Sequence, residues 1–205
     1  MELSKAGVKR LLMAMGVFAV LQGCATPDRR ADILYRPVAN VKGGSGDLYL
    51  VQGVHRPSGE SAGVQWVLGK VVDNDGNKVA NVVTDQAPAN LVMDALNQEL
   101  KGAGYSVIVT ETPPDPGSRS LTLKDVAIRL NDTHSVVKDV ANCSVKMSVE
   151  PRLQGTVSGS SSYQAEYSDT AVGDREQLPA DILQKALQLL MTQAVPDIVK
   201  SLEKK

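Results

Sequence analysis

An apolar stripe near the C-terminus sets the terms for folding this chain. From Pro179 onward, Ile182, Leu183, Ala186, Leu187, Leu190, Met191, Ala194, Val195, Ile198, Val199 and Leu202 recur at helical spacing. That period belongs to an amphipathic helix, and a one-sided helix stays dry only against another one-sided element. Pro196 falls inside the stripe and is expected to kink or interrupt the helix, because it lacks an N–H and crowds the preceding turn. The rest of the chain must supply what the stripe packs on.

It does so with one more helix and several half-buried strands. After Ala87-Pro88-Ala89-Asn90, the residues Leu91, Val92, Ala95, Leu96 and Leu100 share a face, with Asp94, Asn97, Glu99 and Lys101 opposite, and Gly102 and Gly104 closing the segment. Asp47 to His55 alternates well enough for a strand. Val64 to Val72 and Lys78 to Thr84 are β-rich runs joined by Asp73-Asn74-Asp75-Gly76-Asn77, and Asp-Gly between such runs signals a hairpin on which Trp66 is half buried. Tyr105 to Thr110 follows the helix as a strand.

Leu121 to Asn131 carries apolar residues whose phase slips at Lys124-Asp125, as a β-bulge would require. In Val140 to Val149, Cys143, Val145, Met147 and Val149 fall on one face and Ser144, Lys146 and Ser148 on the other. Gly155 to Ala165 reads as a weaker, polar strand, exposed on one side or at an edge. These elements make an α+β domain over residues 47–205: a mostly antiparallel sheet with both amphipathic helices packed on one face.

The N-terminal segment carries different information. Lys5, Lys9 and Arg10 precede the apolar run Leu11 to Leu21, and then come Gln22, Gly23 and Cys24. A basic start, a short apolar stretch and small residues at the cut describe a secretory signal over residues 1–23, too short for a membrane span of ~20 apolar residues. Leu21-Gln22-Gly23-Cys24 resembles a bacterial lipobox, with Gln22 departing mildly from the usual small residue. That resemblance implies acylation of Cys24 as the mature N-terminus, by a diacylglyceryl group and an amide-linked chain of palmitate type. Several chains anchor essentially permanently where one alone is marginal. Ala25, where an Asp signals retention in enteric bacteria, points to the outer membrane, facing the periplasm. Residues 24–46, with Gly43-Gly44-Ser45-Gly46, read as the lipidated cysteine and a flexible tether.

Composition and motif searches then remove function classes. The formal charge is −1, and losing the basic signal makes it more negative, so there is no basic footprint for nucleic acid. One Phe and one Trp leave little for aromatic stacking on sugars or single strands. No Ser sits centrally in a Gly-x-Ser-x-Gly elbow, and the two candidate bases, His55 and His134, lie in polar loop contexts where solvated histidines are expected. An envelope hydrolase would need His, Asp and Ser to cluster in space. Asp73, Asp75 and Asn77 begin like a calcium loop, but Lys78 and Thr84 stand where Gly and Glu are needed, and turn formation explains the run. Two His and one remaining Cys give no zinc set, and Cys143 alternates in phase with its apolar neighbours as a small buried hydrophobe. Asn131-Asp132-Thr133 and Asn142-Cys143-Ser144 match a glycosylation pattern that a bacterial lipobox makes irrelevant. No catalytic, metal or cofactor residue is assigned, and Cys24 alone receives a chemical role. The terminal stripe and the Ser158 to Ser162 edge are candidate docking elements, with core packing and edge protection the expected uses of each.

The run VQWVLGKVVDNDGNKVANVVT, the helix LVMDALNQELKGAGYSV, the paired strands from Leu121 and the terminal helix LPADILQKALQLLMTQAVPDIV resemble the YajG-type lipoproteins over most of the mature chain. The helix ending Leu100-Lys101-Gly102-Ala103-Gly104-Tyr105 before a strand also resembles the auxiliary lipoproteins of ABC-type lipid transport systems. The first resemblance implies a non-enzymatic envelope lipoprotein that binds or scaffolds another envelope component. The second implies an accessory subunit of a lipid transporter. Neither supplies site residues.

Overall fold

A computed structural model of the chain describes residues 26–53, 61–62, 65–112, 115–173 and 175–203. The signal segment, Cys24 and His55 lie outside the described residues. The elements run β1 (Arg29–Arg30), β2 (Asp47–Gln52), β3 (Ser61–Ala62), β4 (Gln65–Val72), β5 (Lys78–Thr84), α1 (Pro88–Ala103), β6 (Ser106–Thr110), β7 (Ser120–His134), β8 (Asp139–Leu153), β9 (Thr156–Val157), β10 (Ser161–Ala171) and α2 (Leu178–Leu202). The α+β class stands, but the sheet is mixed rather than mostly antiparallel.

The long hairpin β7–β8 is its spine. β8 pairs antiparallel with β7 from Ser120↔Arg152 to His134↔Asp139, and β10 pairs antiparallel beyond it. The other edge of β7 is shared: β2 runs parallel to Ser120–Leu123 and β4 runs parallel to Leu130–Thr133. β6 adds parallel to β2, β5 antiparallel to β4, and β1 parallel to β5. Parallel pairs arise because the connections through α1 and the extended segment before β2 cross between sheet ends, which no hairpin does.

The bulge expected at the phase slip is present, between Leu123 and Asp125 of β7. It lets Leu121, Leu123, Val126, Ile128 and Leu130 all face the core despite the broken alternation. A second irregularity lies between Val67 and Gly69 of β4. A Cβ on Gly69 would stand 1.5 Å from the Leu130 carbonyl oxygen, so only glycine lets these two backbones pair.

Both helices lie against the core face and touch each other, α1 over β7, β6 and β2, and α2 over β10 and β8. Leu96, Leu100, Leu183, Leu187 and Leu190 interleave with Leu48, Leu50, Leu121, Leu130 and Met147, all fully buried. Each such side chain stabilises the fold by ~1.5–3 kcal/mol relative to exposure. α1 ends at Gly104 in the left-handed conformation, with φ 116° and backbone bonds back to Leu100 and Lys101. Gly102, expected to share that task, sits inside the helix.

Three further expectations are corrected. α2 continues through Pro196 to Leu202 without interruption, because Val195, Ile198, Val199 and Leu202 are buried on both sides of it. Pro196 itself is on the exposed side. The edge strand expected over 155–165 lies later, as β10, with Gln154 and Gly155 forming the turn before β9. Residues 29–46 are a docked strap rather than a flexible tether: Ala31 and Tyr35 are buried, and Ala31 N–H donates to Val83 O at 2.8 Å.

Candidate functional site

The strap is fastened by two buried acidic centres. Glu99, expected on the polar face of α1, is 4 % exposed and accepts from Tyr35 Oη at 2.7 Å, Val38 N at 2.7 Å and Ala39 N at 3.1 Å. Burial, the hydrogen bond to Glu99 and the nearby carboxylate charge all hold the Tyr35 phenol protonated, far above its ordinary range. A carboxylate with this many donors is a structural staple.

The second centre is ionic. Arg29 Nη1 lies 2.5 Å from Asp132 Oδ2 and 2.7 Å from Asp139 Oδ2, with both carboxylates fully buried and Arg29 largely so. Asp132 follows Leu130 in the core-facing phase of β7, and Asp139 precedes Ala141 in that of β8. Arg29 reaches them from β1, on the strap. His134, at the end of β7 and not in a loop, places Nδ1 2.8 Å from Asp139 Oδ1 and 3.1 Å from Arg29 Nη2. One nitrogen cannot serve both: with a proton it donates to Asp139, and without one it accepts from Arg29.

The two carboxyls respond oppositely. Burial pushes Asp132 above the usual carboxylate range, aided by the Asp139 charge and only partly offset by Arg29. Asp139 is lowered: burial opposes this, but hydrogen bonds and charge from Arg29 and His134 prevail. Asp132 Oδ1 has no hydrogen-bond partner among the described residues.

Arg175 closes the cluster from outside. Its guanidinium donates to the backbone oxygens of Ser135 at 2.9 Å, Val136 at 3.2 Å, Val137 at 2.6 Å and Val172 at 3.1 Å. One side chain thereby ties the β7–β8 tip to the end of β10. Ser135 Oγ accepts from Lys138 N at 3.0 Å and also donates to Lys138 O. His134 therefore does approach a carboxylate, the encounter a hydrolase would need, but Asp139 also holds Arg29 and the Ser135 N–H. The arrangement is that of a clasp.

Beside the clasp is an open groove of about 870 Å³ between the strap, the end of β10 and the first half of α2. Ile33, Leu34, Tyr167 and Val172 give it apolar walls, with Asp32, Asp169 and Asp181 facing Arg36 and Lys185 around the rim. Leu34 is 82 % exposed and Val172 69 %. Gln184 Nε2, on the same wall, is buried with no hydrogen-bond partner among the described residues.

The other singled-out residues are structural. Asp73 accepts from Asp75 N at 2.9 Å and Asn77 N at 2.8 Å, and these turn bonds lower its carboxyl. Cys143 is buried, and burial pushes its thiol up to about 12.

No family model matches the chain, and no curated protein matches it. Among solved structures, a Xanthomonas campestris protein of the family model DUF330 aligns at 11% identity and TM-score 0.49, covering 86% of this chain and 96% of that one. A neuraminyllactose-binding hemagglutinin homolog from Helicobacter pylori aligns at 11% and 0.37, covering 86% and 92%. The rare lipoprotein B from Shewanella oneidensis aligns at 13% and 0.28, covering 65% and 91%.

Proposed function

We propose that this chain is a lipid-anchored lipoprotein of the bacterial envelope, non-enzymatic, held through Cys24 to the outer membrane on its periplasmic side. It binds or scaffolds another envelope component through the groove beside the clasp. The observation that carries this reading is the clasp on Arg29, five residues after Cys24. An ion cluster buried at that position makes the strap part of the domain, so the domain is held close to the lipid. No helix of the described residues is long and apolar enough to cross a membrane.

The groove suits a partner more than a reaction. Its two most exposed walls are Leu34 and Val172, its rim carries both charges, and Gln184 offers an unused buried donor. A photo-crosslinking residue at Leu34 or Val172, in native membranes, is expected to give the same discrete product from both positions and none from the distant Ser158. Equal or absent products from all three would overturn the reading. A permease or substrate-binding subunit of a lipid transporter in that product would make the chain its accessory subunit.

A further inference from the structure

The four most exposed large apolar side chains among the described residues are Val136 at 91 %, Leu34 at 82 %, Val137 at 71 % and Val172 at 69 %. Arg175 bonds the backbones of three of them, and Leu34 lines the same groove as Val172. They form one patch, at the end of the sheet where β7 turns into β8 and where β10 finishes, Ala171 lying opposite Asp139.

The described residues before Arg29 leave by this same end. β5 starts there, since Val72 pairs with both Lys78 and Thr133. β1 is parallel to β5, with Arg29 beside Val82, and Asp28 Oδ1 accepts from Asn81 N at 2.8 Å. Residues 26–28 therefore point back along β5 toward Lys78 and the β7–β8 tip. Five residues of fully extended chain reach at most about 18 Å, so an acylated Cys24 would hold Arg29 within that distance of the bilayer.

Resting on the anchor reading, we propose that the β7–β8 tip, through Val136 and Val137, inserts into the membrane surface and sets the domain end-on to the bilayer. The clasp is what makes this orientation fixed: Arg29 grips Asp132 and Asp139 directly beneath the tip. Asp73 and Asp75 in the β4–β5 turn at the same end are matched by Lys78 at the start of β5 and Lys138 and Arg175 at the tip, so this end presents little net charge to anionic headgroups. The contact is thus apolar, with little dependence on salt.

The test uses the full chain, purified from membranes and reconstituted in phosphatidylethanolamine–phosphatidylglycerol vesicles. A fluorophore sensitive to its surroundings is attached at Val136→Cys or, as control, Ser158→Cys, while the buried Cys143 stays unlabelled. Lipids spin-labelled high in the acyl chain are expected to quench the Val136 probe at least twofold and to leave the Ser158 probe unchanged. The same quenching is expected at high salt, and Val137→Asp should abolish it. An acylated Cys24 with a Val136 probe as open to aqueous iodide as the control overturns the insertion alone. Protection from iodide without lipid quenching, as self-association or a protein partner would give, overturns it too. A mass spectrum showing unmodified Cys24 overturns the anchor and the insertion together.

Discussion

Arg29 and Asp132 are 103 residues apart in sequence and 2.5 Å apart in the fold, and their ion pair fastens the N-terminal strap to the sheet. Removing one member of a buried ionic group leaves the others uncompensated, at a cost of about 3–5 kcal/mol. Arg29→Ala is therefore expected to lower urea-unfolding stability by that amount and to open the strap to protease. Replacing Arg29, Asp132 and Asp139 together by Met, Leu and Leu should recover most of the loss.

The two carboxylates predict opposite pH dependences. Asp132 is raised above the unfolded value near 3.9, so its contribution is present in acid and lost as pH rises through its folded value. Asp139 is lowered, so its contribution is present above the unfolded value and lost as pH falls through its folded value. Asp139→Asn should lower the urea midpoint near neutral pH, the difference shrinking as pH falls below the unfolded value near 3.9 and on through the lower folded one. Asp132→Asn should remove the decline in stability that accompanies Asp132 ionisation. Urea midpoints measured across this range decide both, and equal slopes for the two variants would contradict the assignment.

Glu99 predicts a local effect. Glu99→Gln keeps an acceptor but loses its charge, costing ~1–2 kcal/mol, whereas Glu99→Leu strands the Val38 and Ala39 amides and the Tyr35 hydroxyl. Hydrogen exchange at Val38 and Ala39 should accelerate strongly in the Leu variant and modestly in the Gln variant.

Gly69 admits no side chain. Gly69→Ala places a methyl group 1.5 Å from the Leu130 carbonyl oxygen, and only separation of β4 from β7 relieves it. A loss of more than ~3 kcal/mol is expected by chemical denaturation, against under ~1 kcal/mol for Gly117→Ala, whose Cβ meets nothing.

What could be read from the sequence was local. The Asp75-Gly76 hairpin, the bulge at Lys124-Asp125 and the inward phase of Cys143 each follow from spacing, and each holds in the fold. The strap was illegible because Thr26 to Arg36 has no period: side chains of Asp28, Asp32 and Arg29 hold it to residues far along the chain. The parallel pairings depend on crossovers that a strand pattern does not encode. The acidic centres did leave a trace. Asp132 and Asp139 stand in core-facing phase, and Glu99 lies three residues after Leu96 on the buried stripe of α1. A charged residue in an apolar phase marks a buried partner, but Glu99 is placed on the polar face of its helix, and the expected strands stop at Asn131 and begin at Val140, one residue short of Asp132 and Asp139.

The account depends most on Cys24, and the mass of the N-terminal peptide of the mature protein, taken from native envelopes, tests it directly. The expected peptide begins at Cys24 and carries a diacylglyceryl group with an amide-linked acyl chain. A peptide that keeps residues 1–23, starts elsewhere, or bears an unmodified Cys24 would contradict the account.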